Sequence, residues 1–213
     1  MISRRSSRPV LLFAAILAVA APAIHAAAKP YRIAGAQRGD DRKWAPVDVL
    51  EESRDGVSCE IKYLDVEARR SAIASSLGTP VELFPARGAV GEKRPSYLVF
   101  ALQMTNNSAE DVTFNPTQSR LSTEKGDMEF ALDYSAVYER LRTMGDGAPE
   151  MDDVAKVLFD RVVTLRPGGS ARKLLAFEAP REDRYRTLQV RLVEVSVGTN
   201  GTDFVFPFRK FFQ

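Results

Sequence analysis

Three carboxylates stand within four positions at Glu150, Asp152 and Asp153, just behind Gly147. Oxygen ligands are what a hard cation such as calcium takes, so this cluster is a weak candidate for a metal site. The EF-hand spacing is absent, and acids at a helix start also complement the positive end of its dipole, which is the preferred reading. Elsewhere the chemistry thins out. Cys59 is the single cysteine, so no disulfide can form within the chain. It falls on the apolar side of an alternating stretch, where a thiol behaves as a small buried hydrophobe rather than a nucleophile. His25 is the single histidine and lies in a segment expected to be removed. Its loss excludes Ser-His-Asp and Cys-His nucleophiles, His-ligated zinc and an imidazole base near neutrality. A hydrolase built on two facing carboxylates is the least favoured alternative, because the sequence defines no such pair. The reading calls for no enzymatic activity and no cofactor.

What remains is binding. Most of the 12 phenylalanines sit at alternating positions and read as core. Trp44, Tyr134, Tyr138 and Leu141 stand apart from that pattern and are the candidate partner-binding residues. The expected function is a non-enzymatic binding or assembly module, with another envelope or secreted protein as its partner. A small-ligand or carbohydrate-binding protein using Trp44 and exposed tyrosines is the alternative.

The elements that must carry these residues follow from composition and period. Residues 1–28 open with Arg4, Arg5 and Arg8, run through an apolar stretch and end on Ala26, Ala27 and Ala28. This reads as a secretory signal peptide, too short in its apolar run for a retained membrane span of ~20 residues. The protein is therefore expected to be exported, periplasmic or secreted. Removing those three arginines leaves 27 basic against 28 acidic residues, about −1, so the pI of 8.7 belongs largely to the leader and implies no nucleic-acid partner.

Residues 29–55 are mixed and turn-rich and are expected to form an extended N-terminal arm docking through Trp44, Val47, Val49 and Leu50. Residues 56–213 are expected to form a single domain. Val57, Cys59, Ile61 and Tyr63 alternate as a strand, and residues 67–77 switch to helical spacing, a short helix expected to cross one end of the fold. Residues 81–95 read as an irregular strand and loop. From Tyr97 onward Leu98, Phe100, Leu102 and Met104 form one apolar face while Tyr97, Val99 and Ala101 form another, the mark of a central strand covered on both sides. Asn115-Pro116 ends the return strand and Gly126-Asp127 turns the next. Asp133 caps a helical insertion over 133–158, interrupted at Gly145-Asp146-Gly147. Strands resume at 159–165 and 173–178, joined by Arg166-Pro167-Gly168-Gly169. In the strand over 187–197 the apolar face switches near Leu192-Val193, predicting a bulge. Asn200-Gly201 is expected to turn into Phe204, Phe206 and Phe208, with Phe211-Phe212 beyond the last strand.

The fold class expected from this pattern is all-β, an antiparallel sandwich with a short helix near 67–77 and a helical insertion near 133–158. The run YLVFALQMTNNSAEDVTFNPTQSRL, followed by a Gly turn, VTLRPGGSARKLLAFEAP and TLQVRLVEV, resembles the immunoglobulin-like, telokin-like domains of bacterial cell-envelope and secreted proteins. The resemblance covers about 97–197. It implies an immunoglobulin-like sandwich in which Phe177 plugs the core and Pro167 with Gly168 turns the chain at the edge, and it implies no particular activity. Two departures are a missing lipidated cysteine after the leader and the helical insertion.

Overall fold

The computed structural model describes residues 31–39, 43–78, 81, 83–84, 96–144, 148–181 and 184–212. The expected leader with His25, most of the irregular stretch at 81–95, and Gly145-Asp146-Gly147 lie outside the described residues. No helix among the described residues is long and apolar enough to cross a membrane.

The described chain runs β1 (Tyr31–Arg38), β2 (Trp44–Val47), β3 (Leu50–Arg54), β4 (Val57–Leu64), α1 (Val66–Leu77), β5 (Tyr97–Asn106), β6 (Val112–Phe114), β7 (Arg120–Thr123) and β8 (Met128–Phe130). It continues through α2 (Tyr134–Met144), α3 (Met151–Val157), β9 (Val163–Leu165), β10 (Ser170–Glu178), β11 (Thr187–Val197) and β12 (Asn200–Phe212). These strands form an all-β sandwich of two antiparallel sheets carrying short helices. The larger sheet is ordered β2-β1-β12-β11-β6-β9, with β7 also pairing β11 and β8 pairing β7. The smaller is β10-β5-β4-β3.

The period-2 patterns decide what lies between the sheets. Leu98, Phe100, Leu102 and Met104 of β5 point into one cluster with Phe177 of β10 and Phe204, Phe206 and Phe208 of β12, all essentially inaccessible. Phe100 packs edge-on against Phe177 at 5.9 Å between centroids and at 4.9 Å against Phe208, so one ring ties three strands and both sheets. The opposite face of β5 is also covered. Val99 joins Leu174 and Ala176 of β10, Ile73 of α1, Val137 and Leu141 of α2, and Val154 and Val157 of α3 in a second cluster. The helices are thus a third layer over the smaller sheet, required because a strand apolar on both faces must bury both.

Local chemistry fixes the helix ends. The Asp65 carboxylate accepts from the Ala68 N–H at 2.8 Å to start α1, and Gly78 ends it at a φ of 72°. Asp133 does the same for α2, its Oδ1 accepting from Ala136 N–H at 2.8 Å. Contrary to the expectation that it crosses one end, α1 lies on the outer face of the smaller sheet, held there by Ile73 and its packing against α3.

The Asn106 turn is a polar lock at the sandwich end. Asn106 is fully buried, yet its amide donates to the carbonyls of Glu110 (2.7 Å) and Leu165 (2.9 Å). Its Oδ1 accepts from the N–H and hydroxyl of Ser108, at 2.9 and 2.7 Å. The side chain's hydrogen-bonding capacity is thus met without water. Its backbone exchanges bonds with Gly168 and Gly169, so the turn that carries the chain from β9 in one sheet to β10 in the other is clamped beside it.

The predicted bulge is present: the β11–β12 register shifts between Leu192 and Val195, and Glu194 has a φ of 53°. Asp203 holds it, accepting from Glu194 N–H at 2.9 Å and from Arg191 Nε at 3.0 Å.

Further expectations are corrected. The segment expected over 29–55 as a docked arm instead carries three strands of the sandwich: β1 pairs β12 and β2, and β3 pairs β4. Within that stretch Trp44 and Val49 are exposed rather than docked. The β11–β12 turn sits at Gly198-Thr199, two residues before Asn200-Gly201, because Gly198 takes the left-handed φ of 56° the turn needs. Phe211 and Phe212 belong to β12, paired with Arg32 and Tyr31. The strand expected over 159–165 is confined to β9, while Leu158 and Phe159 bond to the edge of β10 at Leu174.

Candidate functional site

The residues singled out in the sequence do not assemble into one site. Tyr134 and Tyr138 lie on α2, over the smaller sheet, whereas Trp44 lies on β2 at the far edge of the larger sheet. Leu141 is a correction: only 6% exposed, it packs in the helical-layer core and presents nothing to a partner. Of the helical repeat Tyr134, Val137, Tyr138, Leu141, only Val137 and Leu141 turn toward the sheet and form the buried stripe.

Tyr134 and Tyr138 occupy the other stripe. One helical turn apart, they are 43% and 47% exposed and their rings stack almost parallel, 7° apart in plane and 6.3 Å between centroids. Arg161 lies over Tyr134 at 5.2 Å and bonds through its guanidinium to the buried Asp160 at 3.1 Å. The hydrogen bond and charge of Asp160 raise the Arg161 pKa further above its ordinary value, so the cation is permanent. The Tyr134 N–H in turn donates to the Asp160 carbonyl at 3.1 Å. Two large, flat side chains are thereby held at the surface in one arrangement. Arg161 was not legible as part of this group, since its role depends on where residues after α3 return.

The acidic cluster resolves into helix chemistry. Asp152 and Asp153 stand in the first turn of α3 and Glu150 at its N-cap, and Asp153 pairs with Lys156 at 2.6 Å. Among the described residues no three metal-ligating side chains converge. Cys59 is 1% exposed, and burial, with the nearby Glu52 charge, pushes its thiol up to about 12, far from the thiolate a nucleophile needs.

A second place emerges on the outer face of the larger sheet. On β12 the phenylalanines 204, 206 and 208 point inward, so Val205, Pro207 and Arg209 point outward. Residues opposite one another on paired strands share a face. Register therefore sets Gln189 beside Pro207, Ser122 beside Gln189, and Met128 beside Ser122. One row along, Thr187 lies beside Arg209 and Ala34 on its other side. Between Trp44 and Glu124, the residues Ala36, Ser122, Thr187, Gln189, Pro207 and Arg209 line a groove of about 310 Å³. Arg209 lies over the indole of Trp44 at 5.4 Å. Burial raises the Glu124 pKa, but the N–H groups of Arg186 and Thr187 (2.8 Å) and the Thr187 hydroxyl (3.0 Å) outweigh it, lowering the pKa and keeping the carboxylate ionised. The alternation of Phe204, Phe206 and Phe208 marks Pro207 and Arg209 as outward; only the pairing of β7, β11, β12, β1 and β2 brings the rest of the lining beside them.

No family model matches the chain, and no match to a curated protein was found. Among solved structures, the chain is similar to the yjhA protein of Bacillus subtilis, at 10% identity over 73% of this chain and 93% of that one, with a TM-score of 0.38. It is also similar to a functionally unknown protein of Listeria monocytogenes EGD-e (12% identity, 75% and 81% covered, TM-score 0.35). A third is a conserved hypothetical protein of Bacillus anthracis (11% identity, 78% and 92% covered, TM-score 0.32). At these scores the likeness carries no argument about this chain.

Proposed function

We propose that this chain is an exported, non-enzymatic binding module whose protein partner, another envelope or secreted protein, docks on the outward stripe of α2. The observation that carries the reading is the stacked Tyr134–Tyr138 pair. Tyrosine provides large amphipathic contact area at low entropic cost, and aromatic anchors dominate interface energies. Here the ordering cost is reduced further, because Arg161 and the stack already hold the rings. The leader-like segment at 1–28 supports export, and the Asn106 turn, the Pro167-Gly168 crossover and the buried Phe177 support the immunoglobulin-like, telokin-like character of the sandwich.

Deleting residues 133–158 is not a clean test, since Val137, Leu141, Val154 and Val157 roof the smaller sheet. The test is a Tyr134→Ala/Tyr138→Ala double variant, crosslinked in cells beside the parent protein. Loss of a protein crosslink, with an unchanged thermal midpoint, is the expected outcome; crosslinks retained at parental yield would overturn the reading.

A further inference from the structure

We propose that the groove beside Trp44 on the outer face of the larger sheet binds a neutral saccharide of one or two rings, at a site separate from the α2 surface. A sugar ring has apolar C–H faces and a rim of hydroxyls. It therefore calls for a flat apolar surface with planar hydrogen-bonding groups at its edge. The groove supplies both. Trp44 is 42% exposed, and Arg209 over its ring fixes the plane while leaving indole surface open. Ala36 and Pro207 are short side chains, and Gln189 and Ser122 add polar groups to the same lining. At about 310 Å³ the space is at the small end of ligand sites.

Charge and backbone narrow the occupant. Among the lining residues Arg209 is the one cation and Glu124 the one anion, so the formal charges of the lining sum to zero, which suits a ligand without net charge. An extended peptide would need a free strand edge to pair with, and the adjoining edge strand β2 carries Pro46, which has no N–H to offer. Recognition must run through side chains, as suits a sugar.

Trp44 is the chain's single tryptophan, so its emission reports on the groove alone. The purified protein is titrated with N,N′-diacetylchitobiose, cellobiose and maltose. At least one is expected to give a saturable emission change. Gln189→Ala, an exposed position, should weaken that sugar about tenfold, as expected for one lost hydrogen bond. Trp44→Ala should abolish its heat of binding in calorimetry, while Tyr134→Ala leaves the affinity unchanged. Thermal melts without sugar confirm that each variant is folded. No saturable response to any of the three sugars, or calorimetric binding that survives Trp44→Ala, would overturn the proposal.

Discussion

Over the smaller sheet, Val99, Leu174 and Ala176 point away from the inter-sheet core and are buried a second time under α1, α2 and α3. Over the larger sheet, the matching outward positions are Val205, Pro207, Arg209, Gln189 and Arg191, and no described helix covers them. The difference originates in strand composition. β5 and β10 are apolar on both faces for part of their length and require a roof, whereas β11 and β12 alternate apolar and polar and can face water. The same contrast separates the two candidate surfaces. On the roofed side, binding residues are what the helix has left after packing: Val137 and Leu141 go in, Tyr134 and Tyr138 stay out. On the bare side, binding residues are assembled by register across four or five strands. A helix lays out both of its stripes within one segment and the fold decides which is covered, whereas a sheet face exists only once its strands are paired in register.

Substitutions can break or sharpen this contrast. The largest effect is expected in the layer both sides share: Phe177→Ala should cost about 3–5 kcal/mol in urea unfolding, because Phe100 and the Phe204–Phe208 rings cannot close over the void. Leu141→Ala should cost about 2–3 kcal/mol, showing the roof to be part of the fold; a loss under 0.5 kcal/mol would make the helices an appendage. Asn106→Ala should cost about 1–3 kcal/mol, chiefly by stranding the buried Leu165 carbonyl, since the Glu110 carbonyl keeps the Ser108 hydroxyl as a donor, and should raise amide exchange at the β9–β10 crossover before elsewhere. On the bare side the expected effect is a pH dependence. Glu124 and Asp203 both have lowered pKa values, Glu124 by N–H groups that outweigh its burial and Asp203 by the Glu194 N–H and Arg191. Their stabilisation is complete above the ordinary carboxylate range near pH 4 and is lost as the pH falls through their folded values. The Glu124→Gln/Asp203→Asn variant should therefore show a shallower loss of thermal midpoint below pH 4 than the parent. Smallest of all, Tyr138→Ala should change stability by less than about 0.5 kcal/mol, in contrast to Leu141 one turn away.

Much of the fold was legible because it is local. The two-sided apolarity of β5, the Gly78 stop of α1, the Asp133 cap, the Pro116 stop, the Gly126 turn and the β11 bulge all follow from residues within a few positions of one another. One local signal was passed over: Asp55-Gly56, with φ of 50° and 77°, is the two-residue hairpin turn joining β3 to β4. A boundary placed at 55 cuts through that hairpin and strands β1, β2 and β3 in an arm. Leu141 was misplaced for a different reason. Helical period identifies an apolar stripe but does not say whether the fold has a surface waiting for it, and the face of β5 carrying Val99 was that surface.

By itself the sequence determined the sandwich class, the positions of β4, β5 and β11 and the burial of Cys59 and of Phe204, Phe206 and Phe208, since alternation acts over a few residues. Only the tertiary structure decided that the N-terminal strands complete both sheets, that the helices form a roof, and that Trp44, Arg209, Gln189 and Glu124 line one groove. Those outcomes rest on pairings between strands up to 181 residues apart (212 − 31), such as Tyr31 with Phe212, and register at that range is set by the packing of the whole core.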